Sequence, residues 1–99
     1  MPLSVRVWTL PDRILERSIH RGLNQLIREA RRQGLPTLGN VDEYDETRFT
    51  RMQMSALIPE LQSLVQSNIS EVADAATELL ALGEQVRGGP HRYLVFIGD

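Results

Sequence analysis

The sequence predicts a small mixed α/β domain of the α+β kind, with elements in the order β-α-(β)-α-α-β. Three observations carry that prediction. The chain opens on an alternating segment, Leu3 to Trp8, and closes on a continuous apolar run, Tyr93 to Ile97. Between them, apolar residues recur every three or four positions in three separate stretches. The expected architecture is a two- or three-stranded sheet covered by three helices. With 99 residues and no cysteine, residues 1–99 read as one domain that relies on its core and not on disulfides.

Leu3, Val5 and Val7 share one face of the first segment, the pattern of a half-buried strand, and Trp8 falls on the other face. Pro11-Asp12 ends the strand, and Asp12 is placed to cap a helix. From Arg13 to Gln33 the apolar residues stand at 14, 15, 19, 23, 26, 27 and 30, one helical stripe roughly 30 Å long. Leu15, Ile19, Leu23, Leu26 and Ile27 are therefore expected in the core. Gly34 suits a left-handed helix end, and Pro36 prevents continuation.

Residues 37–49 are polar and turn-rich, with Val41 and Phe49 as expected core anchors and room for one short edge strand. Thr50-Arg51-Met52-Gln53 has the spacing of a capping box. Met54, Leu57, Ile58, Leu61, Leu64 and Val65 then give a second helix, which Pro59 should kink or split. A third helix follows from about Glu71 to Arg87, its alanines allowing close approach to a neighbour, and Gly88-Gly89-Pro90 ends it. The last strand is apolar on both faces, so it needs cover on both sides.

Charge is segregated. The net charge is −2, yet residues 1–34 carry seven Arg against three acids, and residues 35–99 carry four Arg against ten acids. Every basic residue other than histidine is Arg. Arg13, Arg17, Arg21, Arg28 and Arg32 would project from one face of the first helix, where they could meet phosphates or an acidic partner, or simply face water. Asp42, Glu43, Tyr44, Asp45 and Glu46 form an acidic loop with an aromatic centre. It lacks the alternating ligands and central glycine of a calcium loop, and reads better as a negative patch for a basic partner.

No catalytic set can be assembled. Two histidines, His20 and His91, have no assignable acid or nucleophile, and without cysteine no zinc site is expected. No cofactor is expected either, since Gly88-Gly89-Pro90 precedes a strand and offers no helix N-terminus to a phosphate. No apolar run approaches the length of a membrane span, and the first residues lack a signal peptide's pattern, so the expected compartment is the cytoplasm.

Leu35-Pro36, the stretch from Asp45 to Phe49, and above all Pro90-His91-Arg92-Tyr93-Leu94-Val95-Phe96-Ile97-Gly98-Asp99 resemble a group of short uncharacterised proteins of high-GC Gram-positive bacteria. The resemblance implies a bacterial, cytoplasmic protein and brings no activity, cofactor or catalytic residue with it. The leading functional expectation is a protein-interaction module: an adaptor, an inhibitor or an immunity-type partner. It would bind another protein or itself as a homodimer, with Leu94 and Phe96 left facing water on the uncovered side of the sheet; alternatively the middle loop covers that side through Val41, Tyr44 and Phe49, and the protein is a monomer. A nucleic-acid-associated domain using the arginine face is the second reading, although nucleic acid is not the expected partner at this net charge. A small ligand-binding protein or enzyme with a site near His91 is the third.

Overall fold

The computed structural model describes residues 3–9, 13–18 and 21–98. It contains four strands and three helices: β1 (Ser4–Thr9), β2 (Arg13–Ser18), α1 (Leu23–Arg32), β3 (Glu46–Thr50), α2 (Met54–Val65), α3 (Ser70–Arg87) and β4 (Arg92–Ile97). The strands form one antiparallel sheet in the order β2-β1-β4-β3. The fold is α+β, as expected, with the two chain-end strands paired (Val5 opposite Phe96, Val7 opposite Leu94). The edge strand allowed within 41–49 exists as β3, and the sheet gains a fourth strand that the periodicity did not predict.

That fourth strand corrects the long first helix. Arg13–Ser18 pairs with β1 as a hairpin, and only Leu23–Arg32 is helical, about 15 Å in place of 30. In β2 every residue but Ser18 is exposed, so the segment presents no apolar stripe to a core. Leu15 is 42% exposed, against its expected place in the core; Ile19 lies outside the described residues. The reason is cooperative. β1 has two hydrogen-bonding edges, β4 satisfies one, and a strand three residues along the chain satisfies the other. A helix beginning at Leu23 also leaves Asp12 too far upstream to cap it.

The ends of the helices follow local chemistry. Gly34 has φ 74°, and the amides of Leu35 and Gly34 donate to Ala30 O (2.9 Å) and Arg31 O (3.1 Å), the paired bonds of a Schellman motif. Thr50 N donates to Gln53 Oε1 (2.8 Å) and Gln53 N to Thr50 Oγ1 (3.4 Å), so the capping box closes around the turn into α2. Pro59 sits on the exposed side of α2, which runs unbroken through it, so the split into two helices does not occur. α2 and α3 pack closely where Gly83 lacks a side chain: a Cβ there would touch Ile58 and Met54 at 3.6 and 3.7 Å.

One layer of helices covers one face of the sheet. Val5, Val7, Phe49, Leu94 and Phe96 point into it and meet Leu23, Leu26, Leu57, Leu61 and Leu79 in a continuous core. Leu94 and Phe96 are both fully buried, which overturns their expected exposure. Phe96 meets Phe49 edge to face, with centroids 5.6 Å apart and planes at 89°. The exposed face of the sheet is instead the one carrying Tyr93, Val95 and Ile97.

Gly98 ties the end of β4 to the 42–45 loop. Its N–H donates to Asp45 O at 3.0 Å, and a Cβ would run into the carbonyl of Glu43 and approach Tyr44 N to 2.7 Å. Since the obstacle is backbone, Gly98→Ala should destabilise by about 1–3 kcal/mol. Equilibrium urea unfolding measures this, and an unchanged midpoint would mean that the loop does not press on β4.

Candidate functional site

Strand alternation assembles the candidate site on the sheet face opposite the helices. The registers set three rows across the strands: Arg17-Arg6-Val95-Arg48, then Ile14-Trp8-Tyr93-Thr50, then Ser4-Ile97-Glu46. The helices pack on the other side of the sheet from these rows. Trp8, Tyr93 and Ile97 are half-buried by their neighbours, and Ile14 is 43% exposed.

Val95 shows how the face is built. It is fully buried, yet it lies outside the helix-packed core. Arg6 and Arg48 are its direct cross-strand neighbours, and the Arg48 guanidinium reaches over the Trp8 ring, 4.8 Å from its centroid. Arg48 is exposed, so its charged end stays near water over the Trp8 ring, whereas Arg6 is half-buried with its Nε under the surface. The need for cover on both sides of β4 is met by helices on the side of Leu94 and Phe96, and Val95 on the other side is buried as well.

The electrostatics of the face are unbalanced. Arg6 and Arg17 stand directly opposite each other, a like-charge pair that costs stability. Most other arginines are matched: Arg21 with Glu71, Arg28 and Arg31 with Glu43, Arg32 with Glu29, Arg87 with Glu84. Arg51 and Arg92 donate to carbonyls at the end of α3, Arg87 O at 3.0 Å and Gln85 O at 2.7 Å. On the open face, Arg48 pairs with Glu46 at 2.7 Å, whereas Arg6 and Arg17 have no ion pair among the described residues. Two donors under the surface, Arg6 Nε and Trp8 Nε1, have no hydrogen-bond partner among the described residues. On this face the registers place Arg6, Arg17 and Arg48 against Glu46, in a chain whose net charge is −2. The face is therefore a donor-rich, cationic surface with an aromatic strip, built to receive acceptors.

The expected arginine face on one helix does not exist. Arg13 and Arg17 lie on β2, Arg21 precedes α1, and Arg28 and Arg32 lie on α1, where they are ion-paired. Of that set only Arg17 belongs to the open face. The acidic loop is also divided. Glu43 turns inward, 7% exposed, between Arg28 and Arg31, both at 3.4 Å. Arg31 further donates to Gly39 O at 3.1 Å and to Val41 O, so these residues fasten the loop to α1. Asp42, Tyr44 and Asp45 remain exposed, Tyr44 at 74%. The residues that sequence reasoning missed are Arg6 and Arg48. Their signal was the alternation of β1 and β3, which places them beside Trp8 and Val95 once the order of strands is known.

Two pockets of about 250 Å³ lie elsewhere. One, between the end of α1 and the α2–α3 turn, is lined by Glu29, Arg32 and Ser67 among others. Its charges are satisfied internally: the Glu29 carboxylate accepts from Arg32 Nε (3.1 Å), Arg32 Nη2 and Gln33 Nε2 (2.9 Å). The Arg32 and Gln33 hydrogen bonds lower its pKa from 4.5 to about 2 against the opposing effect of burial. Because the folded value is depressed, this interaction contributes stability above pH 4.5 and loses it as pH falls towards about 2. Glu29→Gln should flatten that part of the acid-unfolding curve; curves that remain parallel below pH 4.5 would contradict the assignment.

The second pocket borders the open face at Tyr93 and includes His91, Met52 and Thr50. His91 has φ 56°, a left-handed backbone in the turn before β4. Among the described residues no group of three or more His, Asp or Glu side chains is placed to hold a metal ion. No described helix is long and apolar enough to cross a membrane. No known protein family, no curated protein and no solved structure matches the chain.

Proposed function

We propose that this is a bacterial, cytoplasmic protein-interaction module that binds its partner on the open face of the sheet. The observation that carries the reading is the row Arg17-Arg6-Val95-Arg48 beside Trp8 and Tyr93: the exposed guanidinium groups of Arg17 and Arg48 next to half-buried aromatic rings, with Glu46 as the one acid paired to them among the described residues. Aromatic residues and arginine are the types that dominate protein interfaces. The absence of cysteine and the all-arginine basic set support the compartment and the source. A long polyanion fits less well. Arg48 already lies over the Trp8 ring and pairs with Glu46, and the chain as a whole is net negative at −2.

The test replaces Tyr93 with a photo-reactive benzoylphenylalanine in the cells that make the protein. Protein adducts are expected from this position, and they should fall away when Arg17→Glu is added. Absence of adducts, or equal adducts from the same probe at Ala81 on the exposed side of α3, would remove the open face as the interaction surface. Adducts to nucleic acid would shift the reading to a nucleic-acid-associated domain.

A further inference from the structure

We infer that a second copy of this chain occupies the open face, by way of the acidic loop tip formed by Asp42, Tyr44 and Asp45. The inference rests on the open face being the interaction surface and goes on to name the occupant.

The two surfaces are chemical complements. The face offers guanidinium groups at Arg6 and Arg17 that have no ion pair among the described residues, and a half-buried apolar strip of Trp8, Tyr93 and Ile97. The tip offers the opposite: an aromatic ring 74% exposed, between two exposed carboxylates. Those carboxylates are held in place from within the loop. Asp42 Oδ1 accepts from Tyr44 N at 2.8 Å and Asp45 Oδ1 from Glu46 N at 2.7 Å, which leaves the second oxygen of each free to accept from a guanidinium. Glu43, bound by Arg28 and Arg31, and Gly98, bonded to Asp45 O at 3.0 Å, anchor the loop beneath its tip. The tip is thus presented on a fixed base, which limits the ordering cost of docking.

Charge also decides how the copies meet. Laying two identical open faces directly on each other would set Arg6, Arg17 and Arg48 against themselves, an arrangement that repels. Docking the tip on the face pairs carboxylates with the arginines that lack a counter-charge, and places Tyr44 against the aromatic strip. The contact joins two different patches, so it closes into a dimer if both tips reach both faces, and otherwise continues into longer assemblies.

Sedimentation velocity from about 1 µM to about 1 mM brackets the association range of a small charged interface. The parent chain is expected to associate, less so at high salt. Tyr44→Ala combined with Asp45→Asn should weaken association at least about tenfold. Arg17→Glu should do the same, and Arg48→Glu provides a second face variant should the first fail to fold by circular dichroism. Mixing the loop variant with a face variant leaves one intact tip and one intact face, and should restore a 1:1 complex and nothing larger. Trp8 is the only tryptophan, so its fluorescence should change with association and stay constant in the loop variant. A parent that is monomeric throughout, a loop variant that associates like the parent, or a mixture that stays monomeric would each overturn the inference. Tyr93 adducts to a different protein, with a monomeric parent, would overturn only this occupant; absence of any adduct would overturn the open face itself.

Discussion

Phe96→Ala should cost about 3–5 kcal/mol of folding stability, a fall in Tm of roughly 15–30 °C for a domain of this size. Phe96 is fully buried in the middle of the sheet, on β4, and touches Phe49 edge to face across the neighbouring strand. Truncation removes the largest side chain among the core residues of β4 and leaves a cavity bounded by sheet and helices, which a four-stranded sheet cannot collapse without moving a strand. Phe96→Glu should not fold at all, because it places an unpaired carboxylate in that cavity. Urea unfolding of the alanine variant is the measurement. A loss under about 1 kcal/mol would mean that Phe96 faces water, as the sequence had suggested, and would return it to the list of interface residues.

Glu60→Ala should cost about 2–4 kcal/mol. Glu60 is 8% exposed, on α2, and both of its carboxylate oxygens are used: Thr37 N donates at 3.0 Å and Leu38 N at 2.9 Å. These amides open the short 3₁₀ turn Leu38–Asn40, whose first N–H groups have no partner within the turn. The carboxylate is their cap, contributed from a helix more than twenty residues along the chain. Removing it orphans two amides next to the buried Leu38 and Val41. Glu60→Gln keeps one acceptor oxygen and should lose about half as much. If both variants unfold within about 0.5 kcal/mol of the parent, the bonds to the turn carry no net stability and the loop is held by Arg31 and Glu43 instead.

The two experiments probe different relations between sequence and structure. Phe96 is apolar in an apolar run, so its need for cover was legible; that the helices of its own chain supply the cover was not. Glu60 was invisible to sequence reading, since a carboxylate on an amphipathic helix ordinarily faces water. Only the approach of the 37–40 segment gave it two amides to bind. The same holds for Glu43, which stood in an acidic run and read as surface until Arg28 and Arg31 were found on either side of it.

The candidate face follows this pattern. Trp8 opposite Val5 and Val7 was evident from alternation, and so was the double-sided apolar character of β4. The identity of the exposed residues required the strand order, because Arg6 and Arg48 are 42 positions apart in sequence and become neighbours only across Val95.

What the sequence determined alone was whatever depends on near neighbours. That includes the pairing of the chain-end strands as the two strongest β segments, α2 and α3 with their boundaries, the Gly34 helix end, the Thr50–Gln53 capping box, and Val41 and Phe49 as anchors. Periodicity, capping and turn chemistry act over a few residues, so they can be read within a window. What the tertiary structure decided was the fate of residues 13–18 and the side on which the sheet is buried. The six residues of β2 satisfy helical spacing and strand formation about equally well. The balance was set outside them, by the open hydrogen-bonding edge of β1 that a strand could satisfy and a helix could not. Likewise, either face of β4 was apolar enough to receive the helices. They cover the face that carries Val5, Val7 and Phe49, because the neighbouring strands are apolar on that side and present arginine on the other.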